Sequence, residues 1–405
     1  MKRPFTILFL AILLFYGCRS GASWPIPRIA NGILVPEDTL SLGLSRCEVA
    51  TWAEVHRSDG YVNNAVITCF KGRYYCMWQE SAKDEDTPDT RIMYATSTDG
   101  KSWEAPSTLV PPTEDHFASP GGWIRRGDSL TVLVNYIYAP DRSAGGSAYF
   151  ISTADGQSWT APRPVLMADG TPVGGIFEQD PLRLPDGRTV GAVHFRPGTT
   201  LCPVYTDDPS CVSGWKKASF PEGEGTPLEP SQYLARDGRL VMLFRDQQSS
   251  FRKLYAVSDD RGSSWSAPRL SNIPDSRSKQ CAGTLADGRA FWLGNPTGTK
   301  SRRALVLALS EDGYLFDRAC LLAGPGDLPP RRKEGRYKTP GYNYPKALIE
   351  GDTLWVALTV NKEDVRVVRV IPSGEEKNQP LQGSQRGLPG RKALIFNLQL
   401  VKIER

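Results

Sequence analysis

Ionisable side chains occur together in a few short segments of this 405-residue chain. Glu178 and Asp180, in FEQDPLRL, could form a pair of catalytic acids. His194, in GAVHFRPG, could donate a hydrogen bond to a ligand or shuttle a proton, and it could equally be a strand-end histidine with satisfied nitrogens. Lys279, in DSRSKQ, could bind a carboxylate or sulfate group together with Arg277. These residues can act together only if the fold brings their segments to one place.

A recurring turn motif indicates the elements that carry these segments. Ser258–Trp265 reads SDDRGSSW and fits the pattern S-x-D-x-G-x-[ST]-W at every fixed position. Its Asp and Ser side chains can satisfy the backbone of a hairpin turn, its Gly supplies a positive φ, and its Trp can pack between sheets. We therefore interpret these residues as scaffold. Further copies, some degraded, start at Ser97, Ser152, Thr206, Ser310 and Asn361, at intervals of about 50 residues.

A second series of turns runs in phase with the first and separates two apolar runs in each unit. The segment SQYLARDGRLVMLF, residues 231–244, has the pattern of strand, Asp-Gly turn and strand. Each unit therefore contains two inner and two outer strands. Four antiparallel strands repeated six times predict an all-β fold, a six-bladed β-propeller that forms one domain over residues 24–405. Residues 24–55 or 388–405 could supply the strand that closes the ring.

A propeller of this kind brings the ends of its inner strands to one rim. The start of each first strand and the end of each second strand face the same end of the ring, and nearly all of these positions are polar. This predicts a functional funnel, although positions close to loops are often polar in any case. The rim positions include Asn63, Asn64, His116, Glu178, Asp180, His194, Arg196, Glu229, Arg245, Lys279, Tyr342, Tyr344 and Lys362.

With these turns and this organisation, the chain resembles the sialidase superfamily over about residues 60 to 365. The S-x-D-x-G-x-x-W turns are similar to its Asp-boxes, which are specific for the fold and weak indicators of activity. The resemblance implies a tyrosine nucleophile, a glutamate that activates it, an aspartate acid/base and three arginines that grip a substrate carboxylate. A neutral phenol suits an anomeric carbon that already bears a carboxylate, because it avoids charge repulsion. No metal or organic cofactor is implied.

Four residues match the family in order and context. Glu229, in LEPSQYLARDGRL, resembles the activating glutamate. Tyr344, in YNYPKALIEGD, resembles the nucleophile, with Tyr342 as its rival. Arg245, in VMLFRD, resembles the second arginine, and Arg302, in TKSRRALVLALS, resembles the third, with the adjacent arginine as its rival.

The first arginine and the acid/base have no direct match. The stretch that should carry the arginine reads YVNNAVI, so that Asn63 or Asn64 could take its place. Arg28, in PIPRIANG, precedes the first inner strand by many residues but could still reach the funnel. Asp84 or Asp86, in QESAKDED, could be the acid/base, unless this acidic loop is simply solvated.

Composition and charge narrow the classes of function. Hydrophobic residues make up 40% and charged residues 23% of the chain, which is ordinary for a globular protein. A net charge of +5 is too mild to indicate nucleic-acid binding. Seven cysteines follow Cys18, and none has zinc-ligand spacing with histidines. Cys202 and Cys211 could form a disulfide after export, or they could remain buried thiols.

The first 17 residues have the pattern of an export signal. Lys2 and Arg3 form a positive start, and Phe5–Tyr16 is an apolar run too short to span a membrane comfortably. Gly17-Cys18 resembles the lipobox of bacterial lipoproteins. We therefore expect Cys18 to be acylated and the protein to be lipid-anchored to a bacterial outer membrane, in the periplasm or at the cell surface. Simple secretion is the alternative.

Three hypotheses of function follow. The first is an exo-acting glycoside hydrolase of the sialidase type that releases a terminal acidic sugar, with sialic acid as the leading candidate. The second is a hydrolase or lyase of the same fold that acts on another glycan through His194, Glu178 or Asp180; the missing first arginine favours it. The third is a non-catalytic glycan-binding protein at the cell surface, which would fit a lipid anchor. In all three the partner is a glycan.

Overall fold

The protein is an all-β protein, as the sequence predicts. The computed structural model describes residues 24–31, 44–138, 145–196 and 200–372. These residues form 26 β-strands and a short 3₁₀ turn, Pro325–Asp327. None of the described residues belongs to a helix that is long and apolar enough to cross a membrane.

Six sheets form the blades of a propeller, which confirms the predicted architecture, and their strands are antiparallel except for one parallel edge strand in the fifth blade. The strands of each blade follow one another in chain order from the axis outward, except that two strands from the N-terminal side lie at the outer edges of the fifth and sixth blades. The first strand of the third blade is split in two. Two strands precede the first blade, namely β1 (Arg28–Ile29) and β2 (Glu48–Arg57). Blades one to three contain β3 (Tyr61–Phe70), β4 (Arg73–Ser81), β5 (Arg91–Ser97) and β6 (Ser107–Val110); β7 (His116–Arg126), β8 (Ser129–Tyr138), β9 (Gly146–Thr153) and β10 (Arg163–Pro164); and β11 (Gly175–Phe177), β12 (Leu182–Arg183), β13 (Thr189–Phe195), β14 (Thr200–Thr206) and β15 (Lys216–Lys217). Blades four to six contain β16 (Pro227–Leu234), β17 (Leu240–Asp246), β18 (Arg252–Ser258) and β19 (Arg269–Pro274); β20 (Cys281–Thr284), β21 (Ala290–Gly294), β22 (Leu305–Ser310) and β23 (Leu315–Ala323); and β24 (Tyr342–Glu350), β25 (Thr353–Val360) and β26 (Asp364–Ile371).

A strand from the N-terminal side closes the ring. β2 pairs antiparallel with β26 and is the outermost strand of the sixth blade. One of the two segments that the sequence offered for closure therefore supplies it, and the other, residues 388–405, lies outside the described residues. A disulfide between Cys47 and Cys320 ties the start of β2 to the outer strand of the fifth blade.

The cysteine pairing differs from the pair considered in the sequence. Cys202 and Cys211 are free thiols. Cys202 lies in β14, whereas Cys211 is buried in the turn that follows and contacts the Thr189 hydroxyl at 3.1 Å. The disulfide that does form joins residues 273 positions apart, and cross-links over long loops are the ones expected to restrict the unfolded chain most.

Apolar side chains pack between neighbouring blades rather than in one central core. Each blade shares an apolar cluster with the next, and the sixth shares one with the first, where Val62 and Trp78 meet Ala357 and Val367. This packing fills the spaces between the sheets and leaves the central axis to polar side chains.

The outer turns have the scaffold role predicted for them. In the turn between β18 and β19, Gly262 N–H donates to Ser258 Oγ at 2.8 Å and Ser264 N–H donates to Asp260 Oδ1 at 2.8 Å. Trp265 is buried in the cluster between the third and fourth blades. These residues therefore stabilise the turn and the contact between blades.

One member of the turn series was misassigned. Asn361–Asp364 joins the second and third strands of its blade, β25 and β26, whereas the other copies join the third and fourth strands. The sixth blade takes its fourth strand, β2, from the N-terminal side, so it has no turn of the Asp-box kind. The segment instead lies at the rim where the inner strands begin.

Candidate active site

Irregular backbone in three inner strands aims side chains at the axis. β3, β16 and β24 each contain a register shift near the rim. Asn64, Glu229 and Tyr344 lie in these shifts with left-handed φ values of 54°, 48° and 54°. A bulge re-aims a side chain, and a non-glycine residue in this conformation costs about 1–3 kcal/mol. Three strained residues at equivalent places in three blades indicate a functional site.

The re-aimed side chains line one cavity of about 430 Å³ at the centre of the rim. Ten of the residues predicted from the sequence meet there, and the lining as a whole includes residues from all six blades. No group of three or more His, Cys, Asp or Glu side chains in the described part of the chain is arranged to hold a metal ion. The predicted residues in the cavity are Asn63, Asn64, Asp86, Glu178, His194, Glu229, Arg245, Lys279, Arg302 and Tyr344.

Tyr344 lies in a strongly positive environment. Lys279 Nζ, Arg302 Cζ and Lys362 Nζ lie 5.1, 5.3 and 5.4 Å from the centroid of its ring. Burial, followed by the charge of Glu229, raises the pKa of Tyr344, so that its phenol is protonated at neutral pH. The surrounding cations would stabilise negative charge that develops on the phenolic oxygen or on a ligand beside it.

Glu229 is held as an anion by Arg245. Arg245 Nη1 donates to Glu229 Oε2 at 3.0 Å, and the Glu229 N–H donates to His194 Nε2 at 3.2 Å. Burial opposes ionisation, but Arg245 outweighs it and lowers the pKa of Glu229 to about 2. The carboxylate shares the cavity with Tyr344 and influences its ionisation, but among the described contacts its hydrogen bond goes to Arg245 and not to the phenol.

Arg302 has only neutral partners in the described part of the chain. Nη1 donates to Asn343 Oδ1 at 2.9 Å, and Nη2 donates to the Arg277 carbonyl at 2.7 Å. Its Nε is buried without a hydrogen-bond partner. The positive charge of this guanidinium is therefore not balanced by a carboxylate in direct contact, which suits an anionic ligand.

Lys279 spans the central axis at the floor of the cavity. Its ammonium donates to Glu178 Oε2 in the third blade and, at 3.2 Å, to Asn64 Oδ1 in the first. Burial opposes ionisation of Glu178, but Lys279 lowers its pKa overall. Burial lowers the pKa of His194, whose Nδ1 lies 3.9 Å from Glu178 Oε1. His194 is therefore a neutral acceptor of a backbone N–H that also faces the cavity.

Three charged residues of the cavity, Glu85, Arg196 and Lys362, have no predicted role in ligand binding. Glu85 lies between the two aspartates that were proposed, and its carboxylate accepts hydrogen bonds from Asn63 Nδ2 and Lys362 Nζ, both at 3.2 Å. Lys362 lies in the segment misassigned to the Asp-box series. Its place at the end of a second strand identifies it as a rim position in the sequence, but nothing there indicates a role for it.

Two residues predicted for the site lie outside the funnel, one in the fifth blade and one in the sixth. Arg28 is exposed on β1, which pairs with the outer strand β23, so it cannot reach the funnel. Tyr342 is buried and its hydroxyl donates to the Gly324 carbonyl at 3.2 Å, in a separate cavity between the fifth and sixth blades. The register shift in β24 turns Tyr344, and not Tyr342, toward the funnel.

Two predicted carboxylates also have other roles. Asp84 accepts the backbone N–H groups of Arg336 and Tyr337 and thus fastens a neighbouring loop. Asp180 accepts the Trp123 N–H at 2.7 Å and lines a cavity on the other side of Glu178, with Lys346. Asp86 is therefore the aspartate of the 79–86 loop that lines the funnel, and Glu178 has no partner in Asp180 for an acid pair.

The fold and the site together define a propeller of the BNR type with a polar funnel. The family of BNR repeat-like domains matches residues 72–356, and the chain belongs to this family. Its propeller is similar in fold to that of sialidases. No curated relative is similar to the chain in sequence.

Solved structures with the same fold include sialidases. A protein described as a sialidase is 19% identical, with a TM-score of 0.62, over 85% of this chain and 35% of its own. A Dyadobacter fermentans protein of unknown function is 15% identical, with a TM-score of 0.60, over 80% of this chain and 99% of its own. Trypanosoma rangeli sialidase with 2,3-difluorosialic acid, described as a covalent intermediate, is 17% identical, with a TM-score of 0.55, over 81% of this chain and 58% of its own. The chain thus spans about a third to three fifths of these sialidases, and at such identities the likeness concerns the fold.

Proposed function

We propose that the protein is an exo-acting glycosidase of the sialidase type that releases a terminal acidic sugar, with sialic acid as the first candidate. The observation that carries the proposal is the buried phenol of Tyr344, which has three cations 5.1–5.4 Å from its ring and the Glu229 carboxylate in the same cavity. A scaffold has no need for a strained tyrosine among buried charges, whereas an acidic sugar requires both a neutral nucleophile and cations.

In the proposed reaction the Tyr344 oxygen bonds to the anomeric carbon as the bond to the leaving oxygen breaks. Glu229 accepts the phenolic proton, and Asp86 donates a proton to the leaving oxygen. Water then cleaves the glycosyl–tyrosine bond, and the protons return to Tyr344 and Asp86. A substrate carboxylate on Arg245 and Arg302 would compete with Glu229 for Arg245, and this competition would make Glu229 a stronger base.

Activity on an aryl α-sialoside tests the proposal. The wild-type protein should release the aryl group, and Tyr344→Phe should lower kcat by at least about a thousandfold, because the attacking oxygen is lost. Tyr342→Phe is the matched control, since that tyrosine lies outside the funnel, and it should keep wild-type activity. Equal turnover by wild type and Tyr344→Phe would exclude the mechanism.

A different acidic glycan is the second candidate substrate. The funnel has Asn63 and Asn64 where the sialidase pattern has an arginine, which weakens the case for sialic acid in particular. Aryl glycosides of uronic acids should therefore be assayed beside the sialoside. Turnover of a uronide alone would favour this candidate, and glycan binding without release of any sugar would favour a binding protein.

We also propose that the protein is exported and acylated at Cys18, a residue outside the described part of the chain. The Cys47–Cys320 disulfide supports export, because such bonds persist mainly in oxidising compartments. In a bacterial host that processes lipoproteins, the protein should fractionate with membranes, and Cys18→Ser should release it. Cys202→Ser, which removes a free thiol of β14, should not. Release of the wild-type protein in soluble form would contradict the anchor.

A further inference from the structure

We infer that Lys362 supplies the third cation of the acidic-sugar site, from the sixth blade, in place of the arginine that the first blade lacks. The inference rests on the proposed function, because it concerns how the same funnel grips the substrate carboxylate. Its observations are the position of the ammonium group, its unused donor capacity and the strained turn that presents it.

The Lys362 ammonium lies among residues of the first blade. Its Nζ donates to Tyr61 OH at 3.2 Å and to Glu85 Oε2 at 3.2 Å, and Glu85 in turn accepts from Asn63 Nδ2. The cation thus occupies the side of the funnel where Asn63 lies, next to the position that lacks an arginine.

The ammonium retains capacity for a ligand. A lysine has three N–H donors, and the contacts with Tyr61 and Glu85 use two of them. Lys362 lines the cavity although it is only 2% exposed. Its Nζ and the Arg302 guanidinium lie at nearly equal distances from the Tyr344 ring, 5.4 and 5.3 Å. A carboxylate on the carbon that Tyr344 attacks must lie beside that ring, within reach of both cations.

The backbone of the turn that carries Lys362 is strained. Asn361 and Lys362 have consecutive left-handed φ values of 57° and 56°, a costly arrangement for two residues with side chains. Buried Glu363 holds the turn by accepting the backbone N–H groups of Arg332 and Lys333. The strain is therefore stabilised from outside the funnel, and the side chain that it directs inward is Lys362.

Lys279 is the other lysine beside Tyr344, but its contacts give it a different place. It bridges Glu178 and Asn64 across the axis, and the Glu178 carbonyl beneath it accepts the Lys346 ammonium at 2.9 Å. Lys279 therefore forms part of the floor between the two cavities, whereas Lys362 forms part of the wall beside Asn63.

Binding of a carboxylate inhibitor and its ester tests the inference. The probes are 2,3-didehydro-N-acetylneuraminic acid and its methyl ester, which has the same shape without the anion, and binding is measured by calorimetry. We expect Lys362→Met to weaken binding of the acid by about 10–100-fold and to leave binding of the ester unchanged, whereas Lys362→Arg retains most of the preference for the acid. Lys71→Met, which removes a lysine from a turn at the opposite end of the first blade, should change neither.

The outcomes separate this inference from the proposed function. Wild-type binding of the acid with an undiminished preference in Lys362→Met overturns the role of Lys362, and loss of the preference in Lys279→Met alone assigns the cation to the floor. Failure of the wild-type protein to bind the acid overturns the sialic acid site itself. Thermal unfolding of each variant shows whether it is folded. If Lys362→Met does not fold, Lys362→Arg provides the test. A preference for the acid like that of the wild type in Lys362→Arg supports the inference, and loss of this preference contradicts it.

Discussion

The Asp-box turns and the funnel are both built from polar side chains, but their partners lie at very different distances along the chain. In the Ser258–Trp265 turn, Asp260 bonds to Ser258 and Ser264 within the same short segment. In the funnel, Lys279 reaches Glu178 and Asn64 in two other blades. Local polar contacts can be repeated in blade after blade, whereas contacts across the axis occur once. The first kind stabilises each blade, and the second kind makes one site.

The Asp-box turns and the funnel also differ in how far their charged side chains are exposed to water. Asp260 is exposed to water, whereas in the funnel Glu229 and Lys279 are buried and Glu178 is partly buried. Buried ion pairs contribute little net stability, because desolvation opposes the attraction between the charges. We therefore expect changes in the funnel to affect activity first, and changes in the Asp-box turns to affect stability first.

The largest expected effect is on catalysis by Glu229→Gln. Loss of the proposed base should lower kcat on the active aryl glycoside by about 10²–10⁴-fold. Steady-state kinetics measures this, with Glu311→Gln as the matched control, since Glu311 is an exposed glutamate in the fifth Asp-box turn. A wild-type kcat in Glu229→Gln would contradict the proposed role of the funnel in catalysis.

The next effect is a loss of stability in acid that depends on Glu229. Its pKa of about 2 in the folded protein lies below the ordinary value of 4.5. A carboxyl with a lowered pKa stabilises the fold fully above its unfolded pKa, and this contribution disappears as the pH falls from about 4.5 toward 2. Wild type should lose on the order of 3 kcal/mol of unfolding free energy there through this group. Denaturant titrations at several pH values should show that the free energy of unfolding depends less steeply on pH in Glu229→Gln than in the wild type. Glu311→Gln should show the same pH dependence as the wild type. Equal pH dependences for all three proteins would contradict the prediction.

A smaller effect is expected in the Asp-box turn. Asp260→Ala removes the acceptor of the Ser264 N–H and of two serine hydroxyls, and should lower the free energy of unfolding by about 1–2 kcal/mol. Because these contacts are far from the funnel in the blade, kcat/KM should stay within about twofold of wild type. Denaturant unfolding measures the stability and steady-state kinetics measures the activity of the same preparation. A loss of activity that exceeds the loss of stability would contradict the scaffold role of this turn.

The smallest expected effect is that of Tyr344→Phe on stability. The phenolic hydroxyl has no hydrogen-bond partner among the contacts of the described residues, so its removal leaves no group unsatisfied. The free energy of unfolding should change by less than about 0.5 kcal/mol. A loss of well over 1 kcal/mol in denaturant unfolding would mean that Tyr344 is part of the scaffold.

The repeated features of the protein could be read from the sequence, and the unique contacts could not. The spacing of the turns identified six blades because each turn is encoded within about eight residues. The same regularity misled at Asn361–Asp364, since a strand from the N-terminal side, β2, replaces the strand that an Asp-box turn would have introduced. Likewise, Cys47 and Cys320 pair across 273 residues, a separation that carries no local signal.

The site shows the same division. Strand positions and the family pattern singled out Glu229, Arg245 and Arg302 from the sequence, and all three line the funnel. The choice between Tyr342 and Tyr344 could not be made in this way, because residues two apart share a face in a regular strand and only the shift in β24 separates them.

The sequence by itself determined the six-bladed all-β architecture, the scaffold role of the outer turns and the group of residues from which the site is drawn. Only the tertiary structure decided which of Asp84 and Asp86 faces the funnel, that Arg28 does not reach it, and that Lys362 meets Glu85. Turns and strand patterns depend on neighbours along the chain, whereas the direction of a side chain at the axis depends on bulges and on partners in other blades.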